Sequence, residues 1–221
     1  MWQALYDELK QHQFMVITVA MDSRPDAARP WIESANVDYV SLIDRDHRVA
    51  ALYNMVNVPQ AAWIDEQGTF VRPPETAGAY EGFRQMDRSA GTMPEEAATL
   101  TANAKKTYLA ALKDWVINGA DSGYAFDWAT AQGHVAVPTA EIAQAHVHFR
   151  LGQYLTRSGR SDDGDRHLRE AIRLHPDSWN MWRQHAEPMA TGIAAGPAFW
   201  ERVDQLGSDR YYAKVDMDGM P

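Results

Sequence analysis

The chain has 221 residues, room for one large domain or two small ones, with 45% hydrophobic and 23% charged residues. That is an ordinary globular balance and argues against disorder. Asp and Glu number 30 against 21 Lys and Arg, a formal net charge of -9. No run supplies the basic face of a duplex binder, so no nucleic-acid partner is expected. No apolar run reaches the roughly 18 residues that span a bilayer, so no membrane partner is expected either.

Cysteine is absent. Disulfides, thiolate metal sites and cysteine nucleophiles are therefore excluded for this chain. The compartment stays open, since absent cysteine suits oxidising and reducing surroundings alike. No basic-then-apolar leader opens the sequence. A cytoplasmic location follows if Met1 is the native start, an extracytoplasmic one if an export segment precedes it.

Trp2, Leu5, Tyr6 and Leu9 fall at i, i+3, i+4 and i+7, one face of an amphipathic helix. Phe14 to Met21 is almost wholly apolar and reads as a strand buried on both faces, as parallel strands are. Asp22, Ser23 and Arg24-Pro25 break the pattern with helix-start chemistry. Ala28, Trp31, Ile32 and Ala35 give a second helical stripe, Val40 to Ile43 a short strand, and Val49, Leu52, Tyr53 and Val56 a third stripe with Asp46 as N-cap. Ala61 to Ile64, the turn Asp65 to Gly68, and Thr69 to Val71 read as an antiparallel hairpin.

The stretch from Trp2 to about Gly78, about a third of the chain, resembles the redoxin branch of the thioredoxin-like superfamily, which holds peroxiredoxins and thiol–disulfide oxidoreductases. The residues that carry the resemblance are Val16 to Asp22, Leu42 to Asp46, Leu52 to Pro59, and Trp63 to Gly68. It implies a cis bond between Val58 and Pro59, with the Val58 backbone available to an extended peptide. On the residues alone, a trans proline starting a strand remains the alternative. It also implies a Cys-x-x-Cys at the end of a first strand, opening the first helix. This chain begins inside that helix and carries neither, so thiol exchange is excluded for it as written. The family's first strand is central, between the strand at Phe14–Met21 and that at Ala61–Ile64. Its loss leaves two apolar edges to be covered by direct pairing, by a later segment, or by a second copy of the chain.

Residues 73–94 read as a loop rich in Pro and Gly. Glu95-Glu96 opens a helix with Tyr108, Leu112, Trp115 and Val116 on its stripe, stopped at Asn118-Gly119, and residues 119–138 read as an irregular loop. From Ala145 to Ser178 the chain resembles one tetratricopeptide (TPR) repeat. Leu151-Gly152, Gly164, Leu168, Ala171 and Pro176 stand at signature positions, and His148 stands where an aromatic is usual. One repeat cannot bury its own face, so it must pack on neighbouring helices or another chain. The expected fold is α/β, a truncated thioredoxin-like mixed sheet with flanking helices (residues 1–80). A linker and connecting helix (81–140) and an all-α TPR-like region (141–221) follow it.

Asp22 and Asp44 each follow a strand, and with His47 and Asn57 they can line a polar site where ligands of open α/β sheets collect. A hydrolytic Ser23–His47–Asp44 arrangement can be drawn, with helix capping by Asp22 and Asp46 as the alternative. His146 and His148 lie on opposite faces of a helix, and His167 and His175 are too far apart, so no metal site is expected. No phosphate loop or dinucleotide fingerprint is present, and no cofactor is expected. Trp179 and Trp182 suit either helix packing or, with Val58 and Pro59, a peptide or partner contact. The functional expectation is a redox-inactive thioredoxin-like binding or scaffold protein that self-associates. The alternatives are the C-terminal part of a thiol–disulfide oxidoreductase or peroxiredoxin-like protein, and a cysteine-independent hydrolase.

Overall fold

The computed structural model describes residues 2–24 and 26–221. Pro25, part of the expected helix start, lies outside the described residues, as does Met1. In chain order the elements are α1 (Trp2–Leu9), β1 (Ile17–Ala20), α2 (Arg29–Ala35), β2 (Val40–Ile43), α3 (Arg48–Leu52), β3 (Gln60–Ile64) and β4 (Phe70–Thr76). Then come α4 (Glu95–Asn118), α5 (Trp128–His134), α6 (Ala140–Arg157), α7 (Ser161–Leu174), α8 (Trp179–His185) and α9 (Pro197–Gln205). The fold class is the expected one, an α/β region followed by an all-helical rear, but in place of one mixed sheet the described strands form two two-stranded sheets, β1–β2 parallel and β3–β4 antiparallel. No described helix is long and apolar enough to cross a membrane.

Two compact units make up the chain, each built from separated segments. The first holds residues 2–15, 58–135 and 201–221. Its core joins Leu5 and Leu9 of α1, Trp63 of β3, Tyr108, Ala111 and Leu112 of α4, and Val215 and Met217 of the C-terminal segment. Trp63 donates its indole N–H to the Tyr108 hydroxyl at 2.9 Å and stacks on Trp115 at 5.2 Å. Burial pushes the Tyr108 hydroxyl's pKa upward, so the oxygen that takes that bond belongs to a protonated hydroxyl.

The β3–β4 hairpin forms on the expected turn. Asp65 accepts the Gln67 and Thr69 amides at 3.0 and 2.7 Å, and Gly68 takes the left-handed conformation at φ 79°. β4 runs on to Thr76 through Pro73 and Pro74, which correct the expected loop start at residue 73. The register shifts around Ala61 and Trp63 accommodate a strand that two prolines cannot fully bond. Likewise, α5 interrupts the expected loop at 119–138, capped by Asp127, which accepts the Thr130 amide at 2.7 Å.

Arg72, only 1% exposed, sits at the centre of this unit. Its guanidinium forms a two-point pair with Glu75 at 2.7 and 2.9 Å. It also donates to the Tyr124 carbonyl at 2.8 Å and the Asp216 carbonyl at 2.6 Å, and lies 4.0 Å over the Phe126 ring. One buried cation thus ties β4 to two segments remote in sequence. Burial pushes Glu75 up from its ordinary range, against the pull of Arg72.

The second unit holds residues 16–57 and 136–200. β1 and β2 pair in parallel, Ile17 with Val40 and Val19 with Leu42. Paired residues share a face, and successive residues alternate. The Thr18 and Ser41 hydroxyls meet at 3.0 Å on one face, so Ile17, Val40 and Leu42 project from the other. There they are 59%, 44% and 49% exposed, which corrects the expectation of a strand buried on both sides. The stripe on α2 is also not core: no α2 residue is buried. β1 and β3 belong to different two-stranded sheets, so among the described residues each strand has a strand neighbour on one edge only.

Contacts between positions 148 and 167, and between 152 and 164, make α6 and α7 antiparallel. A Cβ on Gly152 would meet Leu168 Cγ at 2.8 Å and the Gly164 carbonyl at 3.0 Å. One on Gly164 would meet the Gly152 carbonyl at 2.9 Å. The crossing therefore requires glycine at both positions. Ala145, Phe149, Leu168, Ala171 and Met181 form the helical core.

Replacing Arg72 with Met strands the Glu75 carboxylate in the interior, and chemical denaturation should register a loss of about 3–5 kcal/mol. Arg72→Met combined with Glu75→Leu should recover a large part of it, because no unpaired charge remains. Equal losses in the single and double variants would contradict this account.

Candidate functional site at the strand ends

β1 and β2 run parallel, so their carboxyl ends deliver Asp22, Ser23 and Asp44 to one side of the second unit. Asp44, 9% exposed, accepts the backbone N–H groups of Arg48, Val49 and Ala50 at 2.9, 2.7 and 3.3 Å. It therefore caps α3, the role expected of Asp46. Asp46 instead pairs with Arg157 of α6 at 3.0 Å. Asp22 accepts the Arg24 amide and guanidinium at 2.9 and 3.1 Å, closing the turn after β1. It caps no helix, because α2 starts only at Arg29.

The rear helices close over these ends. The Ser23 N–H donates to Gln184 of α8 at 2.9 Å, and the Ser23 hydroxyl accepts from the Gln153 amide of α6. Asn180 of α8 donates to the Met55 carbonyl at 2.7 Å, and its backbone N–H donates to the Val56 carbonyl at 3.0 Å. Asn57 is buried in the same loop. Gln153, Asn180 and Gln184 are the residues that local sequence reading missed. Their partners lie 125 to 163 residues away, beyond any local periodicity.

His47 starts α3 in the left-handed conformation at φ 51°. It is 4% exposed, and Phe149 meets its ring edge-on at 5.0 Å. Burial holds its pKa below the ordinary value of 6.5, outweighing the opposite pull of Asp44, Asp22, Gln184 and Asp46. Its Nε2 is buried without a hydrogen-bond partner. Asp44 spends both carboxylate oxygens on α3, and Ser23 spends its hydroxyl on Gln153. The structure thus gathers the four residues without a Ser–His or His–Asp hydrogen bond among the described residues. A cleft of about 540 Å³ lies alongside, lined by Val19, Asp22, Arg24, Trp31, Tyr39 and Gln184 among others, but not by Ser23, Asp44 or His47.

Of the other candidates, Val58 is exposed and joined to Pro59 by a cis bond, as the resemblance implies. Trp179, considered as a partner contact, is only 4% exposed and packs on Trp182 and Phe199, each at 5.8 Å, so its role is core packing. Trp182 is half-buried in the same cluster. No group of three or more His, Cys, Asp or Glu side chains placed to hold a metal ion occurs among the described residues.

Comparison with known proteins adds one finding. Residues 1–74 match the model of the AhpC/TSA family, which supports a redoxin, thioredoxin-like origin for that third of the chain. No curated protein and no solved structure matches the chain.

Burial lowers the pKa of His146 and His175 as well as His47. A histidine whose folded pKa lies below its unfolded value leaves the folded state binding fewer protons. The stability it contributes is complete above the unfolded value of about 6.5 and declines as pH falls toward the folded value. Denaturation midpoints should therefore drop between about pH 7.5 and 5.5, and His47→Gln should flatten that slope. An unchanged slope in His47→Gln would refute the assignment.

Proposed function

We propose that this chain is a redoxin-like binding protein, without thiol–disulfide chemistry of its own, that self-associates through the β1–β2 sheet. The observation that carries the reading is the state of that sheet: an apolar face of Ile17, Val40 and Leu42 in solvent, beside a β1 edge with no strand neighbour among the described residues. Parallel sheets are ordinarily covered on both faces. A bare strand edge is a template for another strand, and an identical edge related by a two-fold axis is complementary to it by construction. The occupant is therefore a second copy of the chain. The helical rear, read as TPR-like on the Gly152–Gly164 crossing, serves as the scaffold that holds the sheet open. It does so by tying the strand ends through Gln153, Asn180 and Gln184.

The match of residues 1–74 to the AhpC/TSA family favours a second reading, in which the chain is the rear part of a thiol-active protein. An in-frame strand and Cys-x-x-Cys encoded upstream of Met1 would favour that reading over the first. The hydrolytic reading gains no support from Asp44 and Ser23, whose polar atoms are engaged elsewhere.

Analytical ultracentrifugation from about 1 to 200 µM tests the proposal. The native chain should pass from monomer to dimer or higher. Ile17→Lys with Leu42→Lys should remain monomeric with an unchanged circular dichroism spectrum, because both positions are solvent-facing. A native chain that stays monomeric throughout would overturn self-association.

A further inference from the structure

The antiparallel crossing of α6 and α7 sets His148 and His167 face to face. Their Nδ1 atoms stand 2.8 Å apart, and their rings, with centroids 5.0 Å apart, are tilted by 37°. Both side chains are half-buried. Spacing along the sequence hides this pair, because the two residues lie 19 apart and only the helix crossing joins them.

With neutral rings, this contact is a hydrogen bond in which one imidazole donates and the other accepts. The same two nitrogens also present the edge of a coordination sphere. Metal–imidazole bonds are about 2.0–2.1 Å, so cis ligands at right angles sit about 2.9 Å apart, and tetrahedral ligands about 3.3 Å apart. The observed separation lies nearest the right-angled edge of a tetragonal or octahedral ion. Glu170, one turn beyond His167, is held by Arg173 at 2.7 and 2.8 Å, which leaves the remaining positions to water.

We propose that His148 and His167 form a two-imidazole site for divalent copper or nickel that clamps α6 to α7. On binding, the donor ring's Nδ1 proton passes to its Nε2, so both rings coordinate through Nδ1 as neutral ligands. The ion joins two helices that meet only in the folded state, so it stabilises that state in proportion to its occupancy.

Titration calorimetry of the full chain with Cu²⁺ and with Ni²⁺ provides the test, alongside His148→Gln, His167→Gln and, as control, the exposed His12→Gln. One equivalent should bind the native chain, with affinity falling about tenfold or more in either pair variant and holding in the control. Metal should raise the melting temperature of the native chain and of the control, but not of the pair variants. The Cu²⁺ electron paramagnetic resonance spectrum should show two nitrogen ligands, a readout that needs no variant to fold. Native-like affinity in either pair variant, or a spectrum with one nitrogen or none, would overturn the proposal, the contact then being a hydrogen bond alone.

Discussion

A β-strand has two hydrogen-bonding edges, and among the described residues every strand finds a strand neighbour for one of them. In a thioredoxin-like sheet the inner strands use both. Much else in the structure compensates for that difference. Two strands expose too much backbone and too little packed surface to be stable alone. Each sheet is therefore held by what lies outside it. The β3–β4 hairpin leans on α4 through Trp63, Tyr108 and Trp115, and on the C-terminal segment through Arg72. The β1–β2 pair is fastened at the end of β1 by amide side chains from α6 and α8.

The two anchoring schemes use different physics. Arg72 is a buried charge whose donors reach one carboxylate, two main-chain carbonyls and an aromatic face. Such a node is costly to desolvate and costlier to half-remove. Around β1 and β2 the ties from the rear helices are neutral amides: Gln153 reaches the Ser23 hydroxyl, and Asn180 and Gln184 reach main-chain groups. They tie the ends of the strands and leave the Ile17, Val40 and Leu42 face open. The carboxylates at the strand ends are absorbed by local structure, Asp44 by α3 and Asp22 by its own turn.

Local pattern was enough to find α1, the hairpin and α4, whose acidic start and glycine stop mark its ends. The glycines at 152 and 164 foretold the close helix crossing for a steric reason that the structure repeats. Elsewhere, local chemistry misled. Asp46 looked like the cap of α3, but the cap lies two residues earlier, because His47 in the left-handed region bends the chain back onto Asp44. Pro73 and Pro74 argued for a loop, but a strand with one open edge tolerates residues that cannot donate. Arg72, Gln153 and the His148–His167 pair were out of reach, because their partners are set by tertiary packing. An arginine in a hairpin or a glutamine in a helix ordinarily faces water.

Amide hydrogen exchange at β1 tests the open edge most directly. The Ala20 carbonyl accepts the Asp44 N–H at 2.8 Å, and the main-chain groups of successive residues alternate between edges, so the Val19 amide faces away from β2. If a second copy covers that edge, exchange at Val19 should slow markedly as the protein is concentrated, while amides within α4 keep their protection. Exchange at Val19 that is the same in dilute and concentrated protein would contradict the account.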